Sequence, residues 1–442
     1  MEEDYRQTPE LDISRESGIE KPTPVIKVIG VGGGGNNAIN HMYRQDISDV
    51  SFVVCNTDAQ ALKCSPVPNK LLIGPNTTKG QGAGNVPEVA RAAAEESANE
   101  IAELFKDGTS MVFVTAGMGG GTGTGAAPVV ARIARENDIL TVGIVTIPFL
   151  FEGEKKILKA LNGADEMSKY VDALLVINNE RLTDIYGDLD FSNGFAKADD
   201  ILSIAAQSIS EIITVNGKIN LDLNDVSTTL KDGGVALISR GYGEGENRIT
   251  KAIQDALNSP LLRNRDIEGS KKILFNIYYN PNDTEKPFKM SELNEFTSFM
   301  NQFSDMDVIW GVSYDETLGS KVRITILASG FSVTITDDKE FRTQPAESTE
   351  TSAQTTTNEV QRIAEEYGSD KVNAQRQQQA RARYIILTPD QFDKEDVLAI
   401  FERYPTYNRD SKVKDLIREA SKNSNDGVGD NLHVSDPATI VF

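Results

Sequence analysis

The chain is poor in the residues that cross-link or metallate a protein. Two cysteines, Cys55 and Cys64, among 442 residues exclude a disulfide framework, and a reducing compartment is the natural setting. Two histidines, His41 and His433, are too few for a histidine-rich metal centre or a Ser-His-Asp triad. Basic charge is also short: 45 Lys and Arg stand against 66 Asp and Glu, a net charge of −21. That balance argues against a nucleic-acid binder, which carries a basic face, but leaves room for a local anion site. Long apolar runs are missing as well. The longest, "ILTVGIVTIPFLF", is too short and too β-branched to span a bilayer and reads as a buried strand. The start, "MEEDYRQTPELDISRESGIEKPTP", lacks the basic and apolar segments of a signal peptide. The expectation is a soluble, cytoplasmic protein with no direct membrane insertion.

What is present is an alternation of apolar runs and helical patterns. Residues 1–24 read as a disordered arm ending in "KPTP". "VIKVIGV" (25–31), "SFVVC" (51–55), "KLLI" (70–73), "SMVFVT" (110–115), "ILTVGIVTI" (139–147) and "ALLVIN" (173–178) are continuous apolar strands, as a parallel sheet covered on both faces requires. "PEVARAAAEESANEIAELF" (87–105) reads as one helix with proline in its first turn. The fold class is therefore α/β, with a first domain over 25–194 and ligands at the carboxyl ends of its strands. A long helix follows at about 195–214, with Ile201, Ile204, Ala205, Ser208, Ile209 and Ile212 as its core stripe, then a loop and a short helix to 231. Strand patterns over 232–336 predict a second, α+β domain. The Thr/Ser-rich stretch within 337–389 reads as a flexible linker, because it cannot bury enough apolar surface to fold. The tail, 390–442, opens with an amphipathic segment.

Two glycine-rich loops carry the chemistry. In "VIGVGGGGNNAINHM", Gly30, Gly32 and Gly35 form G-x-G-x-x-G between a strand and a helix, with Asp58 after the next strand. Alone, this fits a nicotinamide or flavin oxidoreductase equally well. The second loop, "AGMGGGTGTGAAPVV" (116–130), is one phosphate-binding turn more than such an enzyme needs. Bare amides and a helix N-terminus there can meet an anion, and Thr122 and Thr124 add hydroxyls. No lysine of the G-x-x-x-x-G-K-[ST] kind is present, so triphosphate charge would fall to backbone dipoles and magnesium.

"GGGTGTGAAPVVA" resembles the signature of the tubulin superfamily. "VGGGGNNAINHM", "NTDAQAL", "TKGQGAGNVPEVARAAAEE" and "PFLFEGEKK" are similar to its FtsZ family of bacterial cell-division GTPases, over roughly 25–336. The resemblance implies a tubulin-like GTPase domain with a parallel sheet, a central helix, a second α+β domain and a disordered tail. It implies that Gly33, Gly34, Gly35, Asn36 and Asn37 line the first nucleotide loop, with Asp58 near the phosphates. Ala83 and Gly84 would lie beside the γ-phosphate. Gly119, Gly120, Gly121, Thr122, Gly123 and Thr124 would form the main cradle. Glu152 matches a ribose contact, Asn179 a ribose or base contact, and Phe195 a base-stacking aromatic. Lys156 stands where the family commonly has arginine, which keeps the charge and loses the bidentate fork. Asp200, with Asp199 beside it, matches the guanine-reading aspartate; a carboxylate accepts from both N1–H and the N2 amine of guanine. Asn220, Asp222 and Asp225 match a synergy loop that enters the next subunit's nucleotide site and orients the attacking water.

The implied ligands are GTP or GDP and Mg2+, the metal held mainly by phosphates and water. The implied partners are further copies of the chain, head to tail, and membrane-tethering division proteins at mid-cell; nucleic acid is not expected. The tethers would dock on "AIFERYPTYNR" through Leu398, Ile400, Phe401, Pro405, Tyr407 and Arg409. The rival readings are the oxidoreductase and a tubulin-like scaffold that binds nucleotide without cutting it. Asp222 and Asp225 count against the scaffold.

Overall fold

The apolar runs become strands, and their order places both glycine loops at one spot. The computed structural model describes residues 26–45, 47, 50–185, 191–258, 270–300, 306–331, 351–383, 386–387, 395–403, 417 and 440–441. The arm at 1–24 lies outside these, as do Pro405, Tyr407, Arg409 and the side chain of Phe195. Two compact units divide the chain, one through residue 353 and one from 354 onward.

In the first unit, β1 (Ile26–Val31), β2 (Val50–Asn56), β3 (Asn69–Leu72), β4 (Met111–Gly117), β5 (Leu140–Ile147) and β6 (Ala173–Asn178) run parallel in the order β3-β2-β1-β4-β5-β6. Strand β1 is buried at every position, as the continuous apolar reading requires. The order reverses between β1 and β4, the place where an open α/β sheet leaves a crevice at its carboxyl edge. One glycine loop leaves each of those two strands.

The sheet continues through β7 (Gly217–Ile219), β8 (Gly234–Gly243), β9 (Lys272–Tyr279), β10 (Asp307–Tyr314) and β11 (Val322–Phe331) in the order β8-β11-β9-β10-β7. Among the described residues it meets the first half at the pairs Ala173↔Gly234 and Leu174↔Val235 of β6 and β8. Strand β7 lies where the sequence predicts a loop. Three residues are too few to show a period of two, and Gly217 is what allows the pairing, since a Cβ there would lie 2.0 Å from the Val312 carbonyl oxygen.

The helix expected over 87–105 is two, Pro87–Glu96 and Ala98–Glu103. Ser97 breaks it, and its hydroxyl accepts from the Gly74 N–H at 3.0 Å. The central helix starts earlier than expected, at Phe191, and ends at Thr214. Ile201, Ala205, Ser208, Ile209 and Ile212 are buried as its stripe predicts, while Ile204 is half-buried. Near its end this helix is tied to the second half of the sheet by ions. Glu211 Oε2 meets Arg323 at 3.0 Å and Arg240 at 3.3 Å, and Arg240 Nε donates to the Ser208 hydroxyl. Arg323 also reaches Asp315 at 3.2 Å and lies over the Tyr278 ring, 4.0 Å from its centre.

The second unit departs from the expected linker. It holds most of the helix Thr351–Tyr367 and all of the helix Ser369–Arg383, separated by Gly368 at φ +88°. The Thr/Ser-rich composition hid a short apolar stripe further on: Ile363, Tyr367 and Val372 are buried. Ile386 and Leu387 pair antiparallel with Val441 and Ile440. A helix at Glu395–Arg403 carries Leu398, exposed, with Ile400 and Phe401 half-buried.

Candidate functional site: a polar cleft at the strand order reversal

A cleft of about 430 Å³ opens at the carboxyl ends of β4 and β5, between the two glycine loops and the central helix. Of the expected residues, Gly33, Gly34, Asn37, Gly120, Gly121, Thr122, Gly123, Glu152, Lys156, Asn179 and Asp199 line it. Gly117, Met118, Thr146, Pro148, Ala198 and Leu202 line it too and were not singled out from the sequence. Gly117 and Met118 lie in the quoted glycine run, and Thr146 and Pro148 at or just beyond the end of β5. The strand-end rule applied to β5 would have found the last two.

The glycines divide by duty. A Cβ at Gly35 would lie 2.3 Å from the Thr115 carbonyl oxygen, so this glycine lets the first helix sit against β4. A Cβ at Gly33 or Gly120 would meet nothing within 4 Å, because both face open space at the cleft. Gly119, at φ +100°, does not line the cleft; its N–H donates to Thr124 Oγ1 at 2.9 Å and closes the loop. Thr124 is thereby spent on loop structure. Thr122 Oγ1 lies 2.7 Å from Thr57 Oγ1 on the cleft wall. Neither the helix Gly32–Arg44 nor the helix Thr122–Glu136 has an acidic residue in its first turn, which suits an anion at both N-termini.

Several expected residues take structural positions. Gly35 and Asn36 are buried in the first helix rather than on the cleft. Asn36 has no positive φ, and with its amide nitrogen turned inward it donates to Gly30 O (2.9 Å) and Cys55 O (3.2 Å). Asp58 caps the helix Ala59–Cys64, accepting from Gln60 N–H at 2.8 Å and Ala61 N–H at 3.2 Å. Ala83 is buried, and Gly84 faces open space at φ +59°. None of these five lines the cleft among the described residues.

The polar groups on the wall have unmet capacity. Asn179 Oδ1 is buried with no hydrogen-bond partner. Such an atom costs about 1–3 kcal/mol unless something meets it. Glu152 spends Oε1 on the Phe149 N–H at 2.9 Å and Oε2 on the Lys156 ammonium. Burial, and then the neighbouring Asp200, pushes the Asp199 carboxyl up to about 6, against an opposing pull from His41. Asp200 flanks the cleft rather than lining it. Its Oδ1 lies 2.7 Å from His41 Nε2 and its Oδ2 lies 3.1 Å from Lys197 Nζ.

Asn220, Asp222 and Asp225 are elsewhere. None lines the cleft. Asn220 Oδ1 accepts from the Gly217 N–H at 2.7 Å. Asp222 caps the helix Leu223–Leu230, accepting from Asn224 N–H (2.7 Å) and Asp225 N–H (3.1 Å), while Asp225 returns the bond from the Asp222 N–H at 2.9 Å. This is a reciprocal capping box. Among the described residues no group of three or more His, Cys, Asp or Glu converges as a metal centre, and no helix is long and apolar enough to cross a membrane.

Comparison with known proteins agrees with this geometry. The description "Tubulin/FtsZ family, GTPase domain" matches residues 25–187, and "FtsZ family, C-terminal domain" matches 234–332. The chain is 51% identical to the cell division protein FtsZ of Porphyromonas gingivalis over 394 residues, covering 87% of this chain and 85% of that one. It is 43% identical to FtsZ of Pseudomonas aeruginosa, over 70% of this chain and 77% of that one. An empty FtsZ dimer from M. jannaschii superposes with a TM-score of 0.62 at 37% identity, over 72% of this chain and 90% of that one. Both matched regions and the extent of the shared sequence lead to one conclusion: the chain belongs to the FtsZ family of tubulin-like GTPases.

Proposed function

We propose that the chain polymerises head to tail as a cell-division GTPase and cuts GTP at the junction between two copies. One observation carries this reading: the acidic loop at 220–225 does not line the cleft of its own chain. A copy that binds nucleotide therefore lacks the acids that would activate the attacking water. A heterologous contact of this kind repeats without closing, which makes a filament.

In this reading the amides facing the cleft at Gly33, Gly120 and Gly121 hold the phosphates, with the N-terminus of the helix Thr122–Glu136 behind them. The unmet Asn179 Oδ1 accepts from a ribose hydroxyl, and the Glu152–Lys156 pair borders the sugar. Of the expected aspartate pair, Asp199 is the one on the cleft wall and accepts from guanine N1–H and the N2 amine, with Asp200 beside it. Asp222 and Asp225 of the neighbouring copy orient the water and take up its proton. Asp222 accepts two capping bonds on Oδ1 and Asp225 one on Oδ2, which leaves the remaining lone pairs free. Mg2+ would be held by phosphate oxygens and water, and would neutralise charge on the phosphates. Hydrolysis to GDP then changes the contacts at the junction. The helix Glu395–Arg403 and the residues after it would dock on a membrane-tethering partner at the division site.

The test is phosphate release as a function of protein concentration, with GTP and magnesium in excess. Activity per molecule should be near zero below a threshold and rise steeply above it, with filaments seen by electron microscopy only above that point. A specific activity independent of concentration would overturn the divided site.

A further inference from the structure

The second glycine loop is held between two layers, and one side chain spans both. On one side, a Cβ at Gly119 would lie 2.9 Å from the Lys156 carbonyl oxygen, so this glycine seats the loop on the helix Glu154–Ser168. On the other side, a Cβ at Gly121 would lie 2.9 Å from the Val86 backbone nitrogen and 3.1 Å from the Asn85 Cα. That glycine admits the segment 83–86. Gly120 stands between the two, faces open space, and lines the cleft with Gly121 and Lys156. The segment 83–86 is a tight turn. Val86 N–H donates to Ala83 O at 3.0 Å, while Gly84 (φ +59°) and Asn85 (φ +63°) are both left-handed. A non-glycine residue in that region costs free energy and persists only where its surroundings hold it. The hold on Asn85 comes from the helix across the loop. Lys159 Nζ donates to the Asn85 carbonyl at 2.9 Å and lies 3.4 Å from Asn85 Oδ1. Lys156 and Lys159 are three apart and so neighbours on the helix surface. The first borders the cleft, and the second reaches around the loop to its far side.

We propose that Lys159 is a positioning residue for phosphate binding: its ammonium straps the turn at 83–86 across the glycine loop and so keeps Gly120 and Gly121 in place to receive phosphate oxygens. The inference rests on the reading that the amides of those two glycines hold the phosphates. The reason is mechanical. A glycine has no side chain with which to anchor itself, so the loop keeps one shape only while its two flanks stay closed. A charge-assisted bond to a carbonyl is stronger than a neutral one, and the four-carbon stem of lysine is long enough to span the loop. Without the strap the turn can lift from Gly121, and the loop regains conformations that its ligand must then freeze out. The loss falls on the phosphate end of the nucleotide. The base lies elsewhere, against the wall formed by Ala198, Asp199 and Leu202 of the central helix.

The experiment uses the full chain below the concentration at which it assembles. Dissociation constants for GTP, GDP and GMP are measured for the wild type, Lys159→Ala, Lys159→Arg and Gly120→Ala, with melting temperature and hydrogen exchange of the amides at 84–86 alongside. Lys159→Ala should weaken GTP and GDP by about threefold to tenfold, the scale of one hydrogen bond, and leave GMP within about twofold. Exchange at 84–86 should quicken while melting hardly moves, because the bond is at the surface. Lys159→Arg keeps a cationic donor on a long stem and should reverse most of both effects. Equal losses for the three nucleotides, or GTP affinity unchanged in Lys159→Ala, would overturn the proposal. Unchanged exchange at 84–86 would overturn it as well, since the turn would then be held without the strap. Gly120→Ala tests the reading beneath it. A Cβ there meets nothing in the protein and fills space at the cleft, so melting should stay as in the wild type while GTP binds more weakly. If Gly120→Ala binds GTP as the wild type does, the phosphate cradle itself fails, and that result is distinct from the lysine outcomes.

Discussion

The cleft at the ends of β4 and β5 and the acidic loop at 220–225 are both polar, yet their hydrogen bonds close differently. In the loop every named group is satisfied locally: Asn220 by Gly217, and Asp222 and Asp225 by each other's N–H. In the cleft Asn179 Oδ1 has no partner, the Asp199 carboxyl is held above its ordinary range, and Gly33 and Gly120 face empty space. A surface that receives a ligand keeps capacity in reserve. A surface that acts on another molecule must hold its own shape before it arrives.

The largest expected effect comes from separating shape from charge in the loop. Asp222→Asn keeps a good capping residue and removes the carboxylate. Phosphate release should fall by about 10²–10⁴-fold, with unchanged melting temperature, unchanged GTP binding and longer-lived filaments. Asp222→Ala should add a loss of about 1 kcal/mol in stability from the missing cap. Loss of GTP binding in either variant would move Asp222 into its own chain's cleft and erase the contrast.

The next largest effect separates the two kinds of glycine. Gly35→Ala places a Cβ against Thr115 O and should destabilise the fold by about 1–3 kcal/mol, read by denaturant titration. Gly33→Ala meets nothing and should melt as the wild type does while binding GTP more weakly. Equal destabilisation in the two variants would show that Gly33 serves packing as Gly35 does and erase the distinction.

The reserve in the cleft also has a pH signature. The Asp199 carboxyl is pushed from its ordinary 3.8 up to about 6, first by burial. Between those values the folded chain keeps a proton that the unfolded chain releases. Stability should therefore be greatest below about pH 4 as far as this group is concerned, and fall as pH rises to about 6, by at most about 3 kcal/mol. Asp199→Asn should flatten that part of the curve of stability against pH. The smallest effect is expected from Lys156→Arg. The Lys156–Glu152 pair is partly exposed, so melting should shift by well under about 1 kcal/mol, and GTP affinity should change by less than about threefold.

The sequence was most readable where one element decides its own fate. "ALLVIN" is strand β6 from end to end, and the other doubly covered strands fall within a few residues of their apolar runs. The glycine loops announced a cleft for the same reason, since bare backbone is a local property. Features built from pairs were hidden. Strand β7 exists because Gly217 admits the backbone of β10, and the break at Ser97 depends on the Gly74 N–H. Gly119 and Thr124 looked like ligand groups because nothing local says that they bond each other. The hold of His41 on Asp200 joins helices from opposite ends of the first domain. The helices at 351–383 were missed because a polar average masked three buried apolar residues.

The cluster of Glu211, Arg240 and Arg323 limits how this protein can change over time. Each of the three side chains is largely shielded from water, and one carboxylate serves both arginines. Replacing Glu211 alone would leave Arg240 without a carboxylate and Arg323 with Asp315 only, and replacing either arginine would leave the acid poorly matched. A fully apolar set of similar volume could be as stable or more so, but no single substitution leads there without a loss of about 3–5 kcal/mol on the way. The cluster is a local trap in sequence space, kept or exchanged only as a set.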